Sequence, residues 1–319
     1  MEIRGGGPTM FELLSDYTFQ TVLLGTTMIG AVSGALGCFA YLRRQSLIGD
    51  VVSHSSLLGV MIFFLASYAW TGEGSKSLVI LIPGAIVAGT LALLLTRLLV
   101  QRTRLKEDSG LGVMLALFFG GGIVLLRWVQ RADPAIPGRR GLQDYLFGMA
   151  AAMTQDDLWM IATLGGMAVL VMLVLWKELK LFTFDPIFSH SLGFRSRLLD
   201  NLLVVILVVG VVIGIQSVGV VLMIALLVTP ASAARQWTRQ LGPMVMLAAL
   251  IGAFCGLIGS VASALYSHVP TGPVIVLAAT LVFVVSLLFA PRRGVVSRLA
   301  RRRKSLASEL VSPIGRAAE

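Results

Sequence analysis

Charged residues are scarce in this sequence: Asp, Glu, Lys and Arg make up only 13% of its 319 residues. Hydrophobic residues make up 56%, and the mean hydropathy is +0.88. A soluble domain of this length needs far more polar side chains to cover its surface. The composition therefore excludes an ordinary soluble globule and predicts an all-α, polytopic membrane protein, because helices satisfy their own backbone hydrogen bonds in lipid.

Cysteine and catalytic motifs are also nearly absent. The two cysteines, Cys38 and Cys255, lie in separate apolar stretches and form no CxxC pair, so we expect them to be small packing residues and infer no redox compartment from them. GEGSKS at residues 72–77 lacks the spacing of a phosphate loop, and there is neither a G-x-S-x-G elbow nor an HExxH pair. We therefore expect no enzyme and no tightly bound cofactor, and any energy for uphill transport must come from another chain.

Acidic residues are fewer than basic ones, 16 against 26, so the formal net charge is +10. The basic residues lie at the ends of apolar stretches and in the C-terminal tail, and they are not interleaved with aromatic residues on one face. This distribution favours membrane lipid head groups as their partners and argues against nucleic acid.

Nine apolar runs are long enough to cross the bilayer as helices: 17–42, 48–70, 77–99, 110–128, 157–176, 199–215, 217–234, 241–264 and 273–290. The sixth and seventh runs are nearly continuous, and the small and polar residues at 214–219 predict a tight hairpin between them. Thr229-Pro230 predicts a bend or an end of the seventh run, because proline removes a backbone donor.

Short loops rich in Lys and Arg are retained in the cytoplasm. Such loops follow the first, third, fifth and seventh runs, and the tail is basic at residues 301–304. We therefore expect a multi-pass cell-membrane protein with an external segment at 1–16, a transmembrane domain at 17–290 and a basic cytoplasmic tail at 291–319. The four arginines within 127–140 do not fit this orientation, because the alternation of the nine spans places them on the external side.

Small residues recur one helical turn apart in two of the runs. Gly30 and Gly34 form one such series, and Gly252, Gly256 and Ser260 form the other. Since lipid supplies no hydrophobic drive for helix association, such series predict close backbone approach between helices.

An acid and a base lie one helical turn apart in SLIGDVVSHSSLLGV, at Asp50 and His54. Ionisable groups in a spanning segment are costly and are functional candidates by default. Because residues i and i+4 share a helix face, Asp50 can offer oxygen and His54 nitrogen to one cation. The alternative is a hydrogen bond within the helix that stabilises the span without touching any solute.

The longest non-spanning stretch on the predicted cytoplasmic side is residues 177–200. Asp185-Pro186 is typical of a helix start, with Asp as the cap and Pro at the first helical position, and Gly193 is typical of a stop. The stretch predicts one short amphipathic helix at the membrane edge or, alternatively, an ordinary connecting loop.

Four segments in this order, YLRRQSLIGDVVSHSSLLGV, DYLFGMAAAMTQDDL, LFTFDPIFSHSLGF and SVGVVLMIALLVTPASAAR, resemble the permease family of the manganese, zinc and iron ABC importers, often called ABC-3. The resemblance runs from about residue 18 to 290. It implies a type II importer permease that works with a second permease chain, identical or a sister subunit. It also implies cytoplasmic ABC ATPase subunits and an extracytoplasmic metal-binding protein as partners.

The resemblance also implies roles for particular residues. The family pattern G-D-x-x-S-H-S matches residues 49–55, so Asp50 and His54 would be ligands of the transported Mn, Zn or Fe ion. The short helix at about 185–194 would be the coupling helix that seats on the ATPase, with these candidate contact residues: Asp185, Pro186, Ser189, His190 and Gly193.

His268, in YSHVPTGP, falls on the predicted external side and is a candidate contact for the incoming ion or the delivering protein. Two other functions stay open at this point. One is a permease for metal chelates of the siderophore or cobalamin type, which would not need a bare Asp and His pair. The other is a membrane scaffold or sensor that couples to no ATPase.

Overall fold

The computed structural model describes residues 16–43, 45, 47–72, 74–75, 77–132, 136–139, 142, 153–265, 269–291, 294 and 296–297. Within these ranges the chain is helical and forms no β-strand. The helices are α1 (Tyr17–Leu42), α2 (Ile48–Thr71), α3 (Leu78–Arg102), α4 (Glu107–Arg131), α5 (Gln155–Val174, with a π-helical turn at Ile161–Gly165), α6 (Trp176–Phe184), α7 (Pro186–Ser191), α8 (Ser196–Val218), α9 (Val220–Trp237), α10 (Leu241–Leu265) and α11 (Thr271–Phe289).

The predicted all-α membrane fold is confirmed. Among the described residues, eight helices are long and apolar enough to cross a membrane: α1, α2, α3, α4, α5, α8, α10 and α11. The predicted seventh span coincides with α9, which has 18 residues and lies outside that set of eight. The expected number of nine is therefore approximate. The predicted terminal segments lie almost wholly outside the described residues.

The break between α8 and α9 falls on a single residue, Gly219, whose φ of 87° is accessible to glycine at little cost. A Cβ placed on Gly214 would collide with the sulfur of Met223. Nine residues along a straight helix are separated by about 13 Å, so this contact requires the chain to fold back at Gly219. The predicted break between the sixth and seventh runs is thus present and occupies one residue, and the contact of Gly214 with Met223 shows that the chain bends there.

Pro230 does not end the helix in which it lies. α9 continues through this proline to Trp237. Of the two outcomes predicted for Thr229-Pro230, termination of the helix is therefore wrong. The adjacent Ser232 hydroxyl donates to the Thr229 carbonyl at 2.8 Å, and such local bonds help a membrane helix to tolerate a proline.

Helices α1 and α10 pack closely along their length, and this contact rests on the small residues that the sequence singles out. A Cβ on Gly30 would overlap the carbonyl of Gly252, and a Cβ on Gly34 would overlap that of Ala248. Gly256 lies in the same way against the carbonyl of Thr26. The predicted close approach is confirmed, and it leaves no room for a side chain at these positions.

Helix α2 is fixed by similar contacts to its neighbours α3 and α4. A Cβ on Gly59 would overlap the Gly84 carbonyl of α3, and Gly122 of α4 lies directly against Leu57. Val51 and Val52 in the first turns of α2 are fully buried. α2 therefore has a defined rotation about its axis, which determines where Asp50 and His54 point.

Residues 127–140 carry the arginines that do not fit the predicted orientation, and three of these arginines have local interactions. Arg131 lies in the last turn of α4, where the helix dipole favours positive charge, and Arg127 donates to the Gln130 side chain at 3.5 Å. Arg139 donates to the carbonyl of Ala132 at 3.0 Å. Arg140 lies outside the described residues.

Replacing Gly252 by leucine should force α1 and α10 apart, because the new side chain has no space beside Gly30. We expect a loss of at least about 1–3 kcal/mol of stability, seen as a lower melting temperature of the purified protein in detergent. The matched control is Gly120→Leu, since a Cβ at Gly120 meets no atom within 4 Å. Equal melting temperatures for the two variants would contradict this packing.

Candidate functional site

Asp50 and His54 lie in the first two turns of α2 and face the same side of the helix. The His54 Nε2 atom is 3.2 Å from the Asp50 Oδ1 atom, and their side chains are 27% and 33% exposed, respectively. Asp50 lies in the first helical turn, where the helix dipole favours a carboxylate. Neither side chain is sealed inside the packing of this chain.

The separation of the two atoms fits a shared cation. Zinc binds carboxylate oxygen at about 2.0–2.2 Å and imidazole nitrogen at about 2.0–2.1 Å, so two ligands of one tetrahedral ion lie about 3.3–3.5 Å apart. The 3.2 Å between Oδ1 and Nε2 is close to this spacing, and it also suits a direct hydrogen bond within the helix. Both alternatives from the sequence therefore use the same pair of atoms.

The imidazole of His54 is oriented by a neighbouring helix. Its ring packs edge-on against Phe119 of α4, with the ring centroids 4.7 Å apart. The Nδ1 atom is buried and has no hydrogen-bond partner among the described residues. Contact with Phe119 thus helps to keep Nε2 directed towards Asp50, and nothing in the sequence pattern signals this contact.

Three serines surround the pair along α2 and are buried: Ser53, Ser55 and Ser56. The Ser56 hydroxyl donates to the Ser53 carbonyl at 2.6 Å. The hydroxyls of Ser53 and Ser55 have no partner in the described part of the chain. Leaving buried hydroxyls unpaired costs about 1–3 kcal/mol each, so a polar partner at these serines would be stabilising.

One chain supplies an incomplete set of ligands. Within the ranges that the structure describes, no three side chains of His, Cys, Asp or Glu come together to hold a metal ion. His268 belongs to 266–268, outside the described residues, so its predicted role stays a prediction.

The segment 177–200 contains more helix than the single short helix predicted, because most of α6 and the start of α8 also lie in it; the predicted helix itself is present as α7. The Asp185 carboxylate accepts a hydrogen bond from the backbone N–H of Phe188 at 2.8 Å, and Pro186 is the first helical residue. Gly193 follows the helix with a φ of 85°. The local signals for the start and the stop of this helix were therefore sufficient to locate it.

α7 presents apolar side chains away from its own chain. Ile187 is 83% exposed and Phe188 is 51% exposed, while His190 is also exposed. Ser189 is fully buried, so it faces the interior of the chain. An open recess of about 750 Å³ lies beside this helix and is bordered by His190, Arg195 and Arg197.

Three features together define a polytopic membrane permease. They are a bundle of membrane-length helices, an acid and imidazole pair near the start of the second helix, and a short exposed helix between the fifth and sixth spans. The chain belongs to the ABC 3 transport family, whose model matches residues 15–290.

Two relatives are similar over most of this chain. The zinc transport system membrane protein TroC of Treponema pallidum (strain Nichols) is 44% identical over 92% of this chain and 96% of its own length. The manganese transport system membrane protein MntC of Bacillus subtilis (strain 168) is 41% identical over 92% of this chain and 66% of its own length.

The fold also resembles solved structures. PsaBC from Streptococcus pneumoniae, in complex with Fab, superposes with a TM-score of 0.76 at 29% identity over 89% of this chain and 96% of that chain. A putative metal-chelate type ABC transporter in an inward-facing conformation has a TM-score of 0.63 at 19% identity, over 84% of each chain, and shows the fold alone.

The cap of α7 can be tested directly. Asp185→Ala removes the acceptor for the Phe188 N–H and should cost about 0.5–2 kcal/mol of local stability. Amides of residues 187–191 should then exchange with deuterium several-fold faster in hydrogen-exchange mass spectrometry. Asp185→Asn, which keeps a capping oxygen, should exchange nearly as the unmodified protein does. Slow exchange in the alanine variant would show that the cap is not needed.

Proposed function

We propose that this chain is the membrane-spanning permease subunit of an ATP-driven importer for divalent transition metal ions. The observation that carries the proposal is the 3.2 Å pairing of Asp50 Oδ1 and His54 Nε2 on one face of α2, in a chain of the ABC 3 transport family. The ion would bind these two atoms during its passage across the membrane.

A pair of ligands suits a transport site better than a storage site. Two ligands hold an ion weakly, and a permease must release what it binds. A second permease chain, identical or a sister subunit, would bring another pair and complete a four-ligand site, the number of ligands that zinc prefers. The partial exposure of both side chains leaves them accessible to such a partner and to the ion.

The choice of metal follows from the ligands and the relatives together. One carboxylate and one imidazole are acceptable to several first-row metals. The relatives above are named for zinc and for manganese, and we propose these two ions as the substrates of this chain. A bulky metal chelate would not need a bare carboxylate and imidazole in its path, so the chelate permease is the weaker alternative.

The energy for transport is proposed to come from cytoplasmic ABC ATPase subunits. α7 supports this assignment, because its exposed Ile187 and Phe188 and the adjoining recess form a surface that a partner can cover. An extracytoplasmic metal-binding protein would deliver the ion on the opposite side. Closure of the ATPase subunits would pull on α7 and reverse which side of the pathway is open.

The ligand assignment predicts the effect of two substitutions. Asp50→Asn and His54→Ala each remove a ligand and should lower cellular uptake of radioactive Mn²⁺ or Zn²⁺ at least about tenfold, since even residues that only support metal ligands contribute 10–100-fold to affinity. Asp108→Asn is the matched control, because it removes an exposed carboxylate from the first turn of α4. Membrane levels of all variants are compared by immunoblot.

Uptake at the unmodified level in both ligand variants would defeat the assignment. Uptake of a siderophore-bound or cobalamin-type metal, together with no uptake of free Mn²⁺ or Zn²⁺ by the unmodified transporter, would favour the chelate permease.

A further inference from the structure

Arg43, at the end of α1, contacts the chain on both sides of α7. Its guanidinium forms an ion pair with the Asp200 carboxylate, which lies in the second turn of α8. Its Cζ atom also lies 4.9 Å from the centroid of the Phe182 ring, in α6. α6 immediately precedes α7 and α8 follows it, so one arginine holds the two flanks of the exposed helix.

Asp200 is held by a second arginine from another spanning helix. Arg97 of α3 donates to the other carboxylate oxygen of Asp200 at 2.9 Å and to the Asn201 side chain at 2.9 Å. The paired side chains are only 18–24% exposed. Charges shielded from water interact more strongly than charges on an open surface, so α1, α3 and α8 are tied together at this point.

The turn from Arg43 to α2 is short and internally hydrogen-bonded. The Gln45 N–H donates to the Ala40 carbonyl at 3.0 Å, and the Ile48 N–H donates to the Gln45 carbonyl at 3.2 Å. α2 begins at Ile48, two residues before Asp50. Because only four residues separate Arg43 from α2, a displacement of Arg43 can reach the first turn of α2.

We propose that Arg43 and Asp200 are positioning residues that transmit the movement of α7 to Asp50 and His54. This inference rests on the proposed function and adds the route by which the ATPase would act on the ion site. When α7 is pulled, Phe182 and Asp200 move with their helices, Arg43 follows both, and the start of α2 is rotated or shifted. The ion then loses part of its coordination and is released.

The test measures coupling in the whole transporter, reconstituted in vesicles with its ATPase and delivery protein. Mn²⁺ and Zn²⁺ are offered separately, and ion uptake and ATP hydrolysis are recorded in the same vesicles. Asp200→Asn and Arg43→Ala should lower the number of ions imported per ATP about five- to tenfold, the scale of a typical coupling between sites. Equilibrium binding of Mn²⁺ by the variants should stay within about twofold of the unmodified value, since coupling residues need not alter the site itself.

Two variants separate positioning from general damage. Asp200→Glu keeps a carboxylate for both ion pairs and should retain most of the unmodified ratio of ions imported to ATP hydrolysed. Arg102→Ala removes an exposed arginine from the end of α3 on the same side and should leave the ratio of uptake to hydrolysis unchanged. The double variant Arg43→Ala with Asp200→Asn should lose no more coupling than Arg43→Ala alone, because the Arg43 substitution already removes the contact with Asp200.

An unchanged ratio in Asp200→Asn and Arg43→Ala overturns the inference, as does a fall in Mn²⁺ binding that accounts for the whole loss of uptake. If Asp200→Asn fails to assemble, Phe182→Leu tests the inference in its place, because it removes the aromatic ring that contacts Arg43 and keeps an apolar side chain. It should lower the ratio about two- to threefold, and an unchanged ratio overturns the inference. Absence of Mn²⁺ and Zn²⁺ uptake in the unmodified transporter would instead overturn the proposed function.

Discussion

The pairing of the Asp50 carboxylate with the His54 imidazole on α2 is the interaction on which the proposed function depends. An ionisable pair in a membrane-spanning helix is costly, and it persists where it serves a solute or where its partners neutralise it. Here about a third of each side chain is exposed, and the two atoms are close to the spacing of two ligands of one ion. Phe119 packs against the imidazole ring from α4, so the spacing does not depend on the pair alone.

Close packing of backbones makes that arrangement possible. In lipid the helices gain little from burying apolar surface, so van der Waals contact between small residues holds them together. Gly30 against Gly252 joins α1 to α10, and Gly59 against Gly84 joins α2 to α3. α2 is therefore held at a fixed rotation and depth, while α7 stays outside the bundle with apolar side chains exposed. A fixed α2 and an exposed α7 are the arrangement that the proposed externally driven permease requires.

The features that were predictable from the sequence are encoded locally. Apolar runs locate the spanning helices, Asp185-Pro186 and Gly193 locate α7, and Gly219 marks the break between α8 and α9. The i, i+4 spacing alone was enough to place the Asp50 and His54 side chains together. The prediction that Pro230 could end its helix was wrong, because a proline in a membrane helix is tolerated when the surrounding helix keeps its other hydrogen bonds.

The contacts that were not predictable join residues far apart in the chain. Arg43 and Asp200 are separated by 157 residues, and neither lies in a motif that signals the other. Asp200 did offer a weak signal, since it is a carboxylate at the start of a long apolar run. Its partners depend on how α1, α3 and α8 pack, and that packing follows from many small contacts. The same is true of Phe119, whose contact with His54 depends on the approach of α4 to α2.

The proposed ligation of the ion by Asp50 and His54 is tested by locating the ion in the assembled transporter. A crystal of the complex loaded with Mn²⁺ or Zn²⁺, measured at the absorption edge of the metal, should show an anomalous peak about 2.0–2.2 Å from Asp50 Oδ1 and His54 Nε2. The same peak should be absent from the His54→Ala variant. A peak elsewhere in the membrane region, with none beside Asp50 and His54, would contradict the account.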